Sequence, residues 1–111
     1  MYQRQNKDGY HSRVKGIDQK TLVFGDRTLM TEFRLKKGAV VPRHSHSYEQ
    51  TGYLISGRMI FITGEERFEA LPGYSWCIRM NVEHSAEVLE DSVAVEIFSP
   101  VREDYLPGRT F

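Results

Sequence analysis

At 111 residues the chain has room for one hydrophobic core and is too short for two domains. Fifteen Lys and Arg balance fifteen Asp and Glu, which argues against nucleic-acid and membrane-surface proteins, whose composition normally carries a basic excess. The single cysteine, Cys77, excludes an internal disulfide framework and a thiolate zinc cluster, so any metal must be held by His, carboxylate or amide.

The polar opening Met1-Tyr2-Gln3-Arg4-Gln5-Asn6-Lys7-Asp8 has no apolar run suited to a signal peptide or membrane span, and a cytoplasmic location is expected. Short β-branched and aromatic runs then recur at 21–24, 29–35, 51–55, 59–63, 67–71, 75–80, 85–89 and 93–98, each ended by turn-forming residues. No 3.6-residue period is sustained, so the pattern predicts about eight strands and an all-β sandwich or barrel. Gly25-Asp26, Ser56-Gly57, Gly64-Glu65 and Glu90-Asp91 each sit between two runs and are expected to be hairpin turns. In the last strand Val93, Val95 and Ile97 make one face apolar, while Glu96 stands between Ala94 and Phe98 on the other. An apolar outer face needs a cover, either a second subunit, making a homodimer, or the N-terminal segment. Tyr48, Trp76, Met59 and Phe61 are expected as barrel lining or core, and Cys77 as a buried small hydrophobe.

The informative segment is 38–57. His44 and His46 stand two apart, which on an extended chain directs both imidazoles to one face. Gln50 follows at another even offset, so the next strand could bring its oxygen to the same point. Glu49 has the wrong parity and is expected to aim away. His84 lies 34 residues beyond Gln50 and can join them only if the sheet folds back. His11 has no such company.

Gly38, His44, His46, Gln50 and Gly57 match the first motif of the cupin superfamily at every spacing, and the chain resembles that superfamily. Pro72-Gly73 and Asn81-Val82-Glu83-His84 resemble its second motif, with Tyr74 in place of the usual acid after Pro-Gly and Met80 where a proline often stands. The resemblance implies an all-β double-stranded β-helix, or jelly roll, as one domain over 1–111: motif 1 at 38–57, motif 2 at about 64–84, and a C-terminal strand and tail at 92–111. It implies one divalent transition metal ion inside the barrel mouth and no organic cofactor.

Three imidazoles and one amide would leave that ion with nearly its full charge, and the donor set admits Ni, Mn, Fe, Co or Zn without choosing among them. Such an ion favours polarising a substrate oxygen over dioxygen chemistry and should attract a small anionic substrate. Arg102, just after the last strand, could clamp a carboxylate. Glu96, a carboxylate in a partly apolar cavity, suits general acid/base work.

The ending Val95-Glu96-Ile97-Phe98-Ser99-Pro100-Val101-Arg102-Glu103-Asp104-Tyr105-Leu106 is similar to that of the small cupins called pectin degradation proteins, as are the runs 44–50 and 81–85. That resemblance implies an isomerase-like enzyme that opens and ketonises 4,5-unsaturated monouronates. It places the metal at His44, His46, Gln50 and His84, and the substrate against Glu96, Phe98 and Arg102. The family acid is Asp, so Glu96 is one methylene longer, which bears on the geometry of proton transfer. Two other readings of the same residues are a metal-dependent cupin dioxygenase and a non-catalytic module that binds a sugar or small acid.

Overall fold

A computed structural model describes residues 1–107; residues 108–111, the end of the expected tail, lie outside the described residues. Eight strands follow one another: β1 (His11–Val14), β2 (Ile17–Phe24), β3 (Leu29–Leu35), β4 (Val40–His44), β5 (Glu49–Thr63), β6 (Glu66–Ala70), β7 (Ser75–Ile78) and β8 (His84–Ser99), with a short 3-10 turn at Glu103–Tyr105. Every pairing is antiparallel.

The two long strands make the jelly roll. The first half of β5 and the second half of β8 pair with each other and with β7 and β3 respectively, and β3 continues the sheet to β2 and β1. Their other halves carry β6 and β4. Each long strand therefore leaves one sheet and enters the other, and the two sheets close over one interior.

Ser56-Gly57 and Glu90-Asp91, expected as hairpin turns, are not chain reversals. Both lie within long strands, where the β5–β8 register slips at Leu54/Ser56, Ser56/Arg58 and Arg58/Met59. Such bulges bend a ladder without ending it. Gly57 has φ 94°, and a Cβ there would lie 2.1 Å from Ser92 Oγ, so only glycine fits this corner. Ser92 Oγ clamps the bend by accepting from Arg58 N and donating to Glu90 O at 2.7 Å. Gly25-Asp26 and Gly64-Glu65 do reverse the chain between neighbours.

Alternation along the strands sets what faces inward. Ser92, Ala94, Glu96 and Phe98 are buried, while Val93, Val95 and Ile97 are half-buried outside. Ile17, Leu35, Leu54, Met59, Phe61, Ala86, Val88 and Ala94 form the main core, and Leu29, Phe98 and Tyr105 a second cluster near one mouth. The outer strip of β8 continues into the exposed Tyr53 and Ile55 of β5, and the N-terminal residues lie along β2 and β3 beside Val23, Phe24 and Met30. Cys77, expected to be buried, is exposed. Its neighbours Trp76 and Ile78 take the inward parity of β7, which leaves Cys77 outside near Glu49. Among the described residues no helix is long and apolar enough to cross a membrane.

Candidate metal centre and acid cavity

β4 and β8 deliver two of the expected ligands as cross-strand partners: His44 stands opposite His84, and their ring centroids are 4.1 Å apart. His46 follows in the loop after β4, where its carbonyl accepts from Asn81 N at 2.8 Å. This bond ties the loop to the segment that leads into His84. The His46 ring lies 4.8 Å from that of His84 and 5.6 Å from that of His44.

Each imidazole is oriented in the same way. Nδ1 of His44 meets Pro42 O at 2.8 Å, Nδ1 of His46 meets Tyr48 O at 3.0 Å, and Nδ1 of His84 meets Val82 O at 2.9 Å. A carbonyl only accepts, so each Nδ1 carries the hydrogen and each Nε2 presents a lone pair. Ligating histidines are held in this way in metal sites. One nitrogen from each ring falls within 4.8 Å of the others. Burial lowers the pKa of both His46 and His84, and the other imidazoles and Arg102 add to the effect for His84, so the neutral, ligating form is favoured.

Gln50, the first buried residue of β5, completes the set. Its Oε1 lies 3.0 Å from His46 Nε2, and its Nε2 donates to Glu96 Oε1. An amide oxygen and an unprotonated imidazole nitrogen both accept, and two acceptors brought this close call for a cation between them. The residues therefore fit a divalent ion with three imidazole ligands and one amide oxygen. Glu49 points outward, as its parity predicts.

Glu96 lies in one cross-sheet row with three inward residues: Thr31 on β3, Gly52 on β5 and Trp76 on β7. The Thr31 hydroxyl donates to Glu96 O at 3.0 Å. Glu96 Oε1 accepts from both Gln50 Nε2 and, at 2.8 Å, Trp76 Nε1. Burial raises the carboxyl pKa above its ordinary value, while those two donors and Arg102 pull the other way. Because both donors use Oε1, Oε2 is left for the cavity that Glu96 lines.

That cavity, about 370 Å³, has apolar walls that include Phe33, Phe61 and Phe98. Its size suits a small ligand. Phe98 is buried, with its ring edge-on to His46 at 5.9 Å. Arg102 stacks over Tyr105 at 4.0 Å and Phe98 at 5.0 Å, and its Nε pairs with Asp104 Oδ1 at 2.9 Å. The expected cavity arginine and a local ion pair therefore coexist. The structure brings His44, His84, Gln50, Glu96, Phe98 and Arg102 to the walls of one cavity, with His46 against Gln50 and Phe98.

Several lining residues escape the sequence reading. Arg13 of β1 shares Asp104 with Arg102, its Nη1 3.6 Å from Oδ2, and lies over Tyr105 at 4.5 Å. Gln19 is buried, with Nε2 donating to Thr21 Oγ1 at 3.2 Å and Oε1 without a partner among the described residues. The polar alternation of 17–21 hides this strand start, since its inward residues include Gln19. Trp76, expected as barrel lining or core, also contacts the acid. The available signal was a glycine, Gly52, inside a strand, which marks a close approach by another group.

Residues 31–100 match the family model described as a cupin domain. The chain is 32% identical over 94 residues to the pectin degradation protein KdgF of Dickeya dadantii (strain 3937), covering 82% of this chain and 84% of that one. It is similar to the solved structure of KdgF from Halomonas sp., with a TM-score of 0.89 at 25% identity over 96% of this chain and 100% of that one. An RmlC-like cupin from Shewanella frigidimarina NCIMB 400 shares the fold, with a TM-score of 0.88 at 21% identity over 95% of each chain.

Proposed function

The chain belongs to the cupin family, and on that footing we propose that it is a metal-dependent, isomerase-type enzyme that opens and ketonises a 4,5-unsaturated monouronate in pectin or alginate breakdown. The relative named for pectin degradation covers most of both chains. The observation that carries the reading is internal: a buried carboxyl with a raised pKa and an arginine line the same apolar cavity as the histidine and glutamine donors.

A divalent ion held by His44, His46, Gln50 and His84 would supply Lewis-acid polarisation of a substrate oxygen. Arg102 binds the substrate carboxylate through the guanidinium nitrogens that Asp104 leaves over. Phe98 and Tyr105 form an apolar wall that excludes water from the acid. Opening the ring breaks the bond from the ring oxygen to the anomeric carbon, and the anomeric hydroxyl proton is released as that carbon becomes an aldehyde. The former ring oxygen is then an enolate, which becomes a ketone as C4 gains the one proton released. Atoms and electrons balance without any oxidant. Glu96 Oε2 moves the proton, and burial that raises its pKa above the ordinary carboxylate value suits a group that must both give and take one.

The test is loss of the conjugated ultraviolet absorbance of an unsaturated monouronate, with metal-loaded protein beside a Glu96→Gln variant. Accelerated loss that the variant abolishes is expected. No acceleration with any of Ni, Mn, Fe, Co or Zn refutes the reading.

A further inference from the structure

An amide has two unlike ends. Its carbonyl oxygen binds a cation and its NH2 group repels one, so whether Gln50 serves as a ligand depends on which end faces the histidines. The geometry around Glu96 decides this. Gln50 Nε2 and Trp76 Nε1 both donate to Glu96 Oε1, and with the NH2 group held there, Gln50 Oε1 lies 3.0 Å from His46 Nε2.

We propose that Trp76 and Glu96 form an orienting relay that presents the carbonyl end of Gln50 to the metal, with Trp76 as a positioning residue that never touches the ion. Two further observations support it. Gly52 is the register partner of Trp76 on one side and of Glu96 on the other, and a Cβ on it would lie 2.3 Å from both Nε1 and Cε2 of the indole. The indole therefore lies flat across β5 where a side chain would otherwise stand, and this brings a β7 residue to an acid on β8. Phe61 packs on the indole with centroids 4.4 Å apart and holds it down. The second donor on Oε1 anchors the carboxylate, and the anchored carboxylate sets the amide and polarises its carbonyl. Glu96 keeps Oε2 for the cavity, so one residue serves the metal centre with one oxygen and the substrate with the other.

The relay rests on the metal centre of the preceding reading and not on its substrate. Cobalt(II) alone is therefore the probe, titrated into metal-free full-length protein and followed by its visible spectrum and by calorimetry. Trp76→Phe keeps an aromatic ring and removes the N–H. It is expected to weaken cobalt binding about tenfold, the lower end of effects from residues that orient ligands, and to alter the spectrum. In a Gln50→Ala background, which has no amide to orient, the same change should cost less than about twofold. Unchanged affinity and spectrum in Trp76→Phe, or an equal loss in both backgrounds, overturns the relay and leaves Trp76 a packing residue. Failure of the wild type to bind cobalt overturns the metal centre together with the relay. Should Trp76→Phe not fold, the wild type answers through its one tryptophan: the indole N–H resonance should move on adding zinc, and this response should vanish in Gln50→Ala. A resonance indifferent to zinc, or moving equally in both proteins, overturns the proposal.

Discussion

Gly52→Ala tests the packing that the site depends on. The new Cβ would stand 2.3 Å from Trp76 Cε2 and Nε1 and 2.6 Å from Cζ2, whereas non-bonded carbons settle at about 3.5–4.0 Å. The indole must therefore withdraw by more than about 1 Å, and Phe61 on it, 4.4 Å away between centroids, leaves no slack. Overpacking of this kind costs about 1–3 kcal/mol. Withdrawal also breaks the 2.8 Å bond to Glu96, and such a bond is worth about 0.5–1.5 kcal/mol net. Together these give about 1.5–4.5 kcal/mol, a large share of the roughly 5–15 kcal/mol that stabilises a domain. Urea unfolding followed by the fluorescence of the one tryptophan reads both effects: the midpoint should fall steeply and the native emission should shift. Gly25→Ala is the control, because a Cβ there meets nothing within 4 Å, and it should move stability by less than about 1 kcal/mol. If Gly52→Ala unfolds within about 0.5 kcal/mol of wild type with unchanged emission, the close approach across β5 is wrong.

Three other outcomes are expected. Metal-free protein should lose stability in acid. The folded pKa values of His46 and His84 lie below the unfolded value of about 6.5, so their contribution is complete above that value and is lost as pH falls through the folded values. Glu96 acts with the opposite sign, its contribution being present below its unfolded value and lost as pH rises through the raised folded one. Denaturant melts of a His46→Gln, His84→Gln double variant should show a flatter slope below about pH 6.5; an unchanged slope assigns the acid sensitivity elsewhere. Gln19→Met removes the Oε1 that has no partner among the described residues, at the loss of one 3.2 Å bond to Thr21, for a net gain of about 1 kcal/mol, readable as a rise of a few degrees in Tm. A fall in Tm shows that the carbonyl is satisfied in solution. The apolar outer strip of Val93, Val95 and Ile97 predicts a homodimer by light scattering, converted to monomer by Val95→Lys; a wild-type monomer refutes that use of the strip.

The inward parity of Glu96 and Phe98 was legible in sequence because alternation is a property of a strand taken alone. The even spacing of His44, His46 and Gln50 was legible for the same reason, as was the outward aim of Glu49, and a turn such as Gly64-Glu65 carries its own backbone chemistry. Where a strand ends, and what lies beside it, depends on partners far along the chain. Ser56-Gly57 and Glu90-Asp91 carry turn residues, yet β5 and β8 run through them because each long strand finds continuous partners on both sides of the corner. Cys77 faces outward because Trp76 and Ile78 take the interior of β7. The contact between Trp76 and Glu96 requires the register of three strands at once. Composition and local alternation thus determined an all-β chain with a set of inward-facing donors. Only the non-local pairing of β4, β5, β7 and β8 decided that those donors meet, that one acid joins them, and that a tryptophan lies across a glycine to hold it.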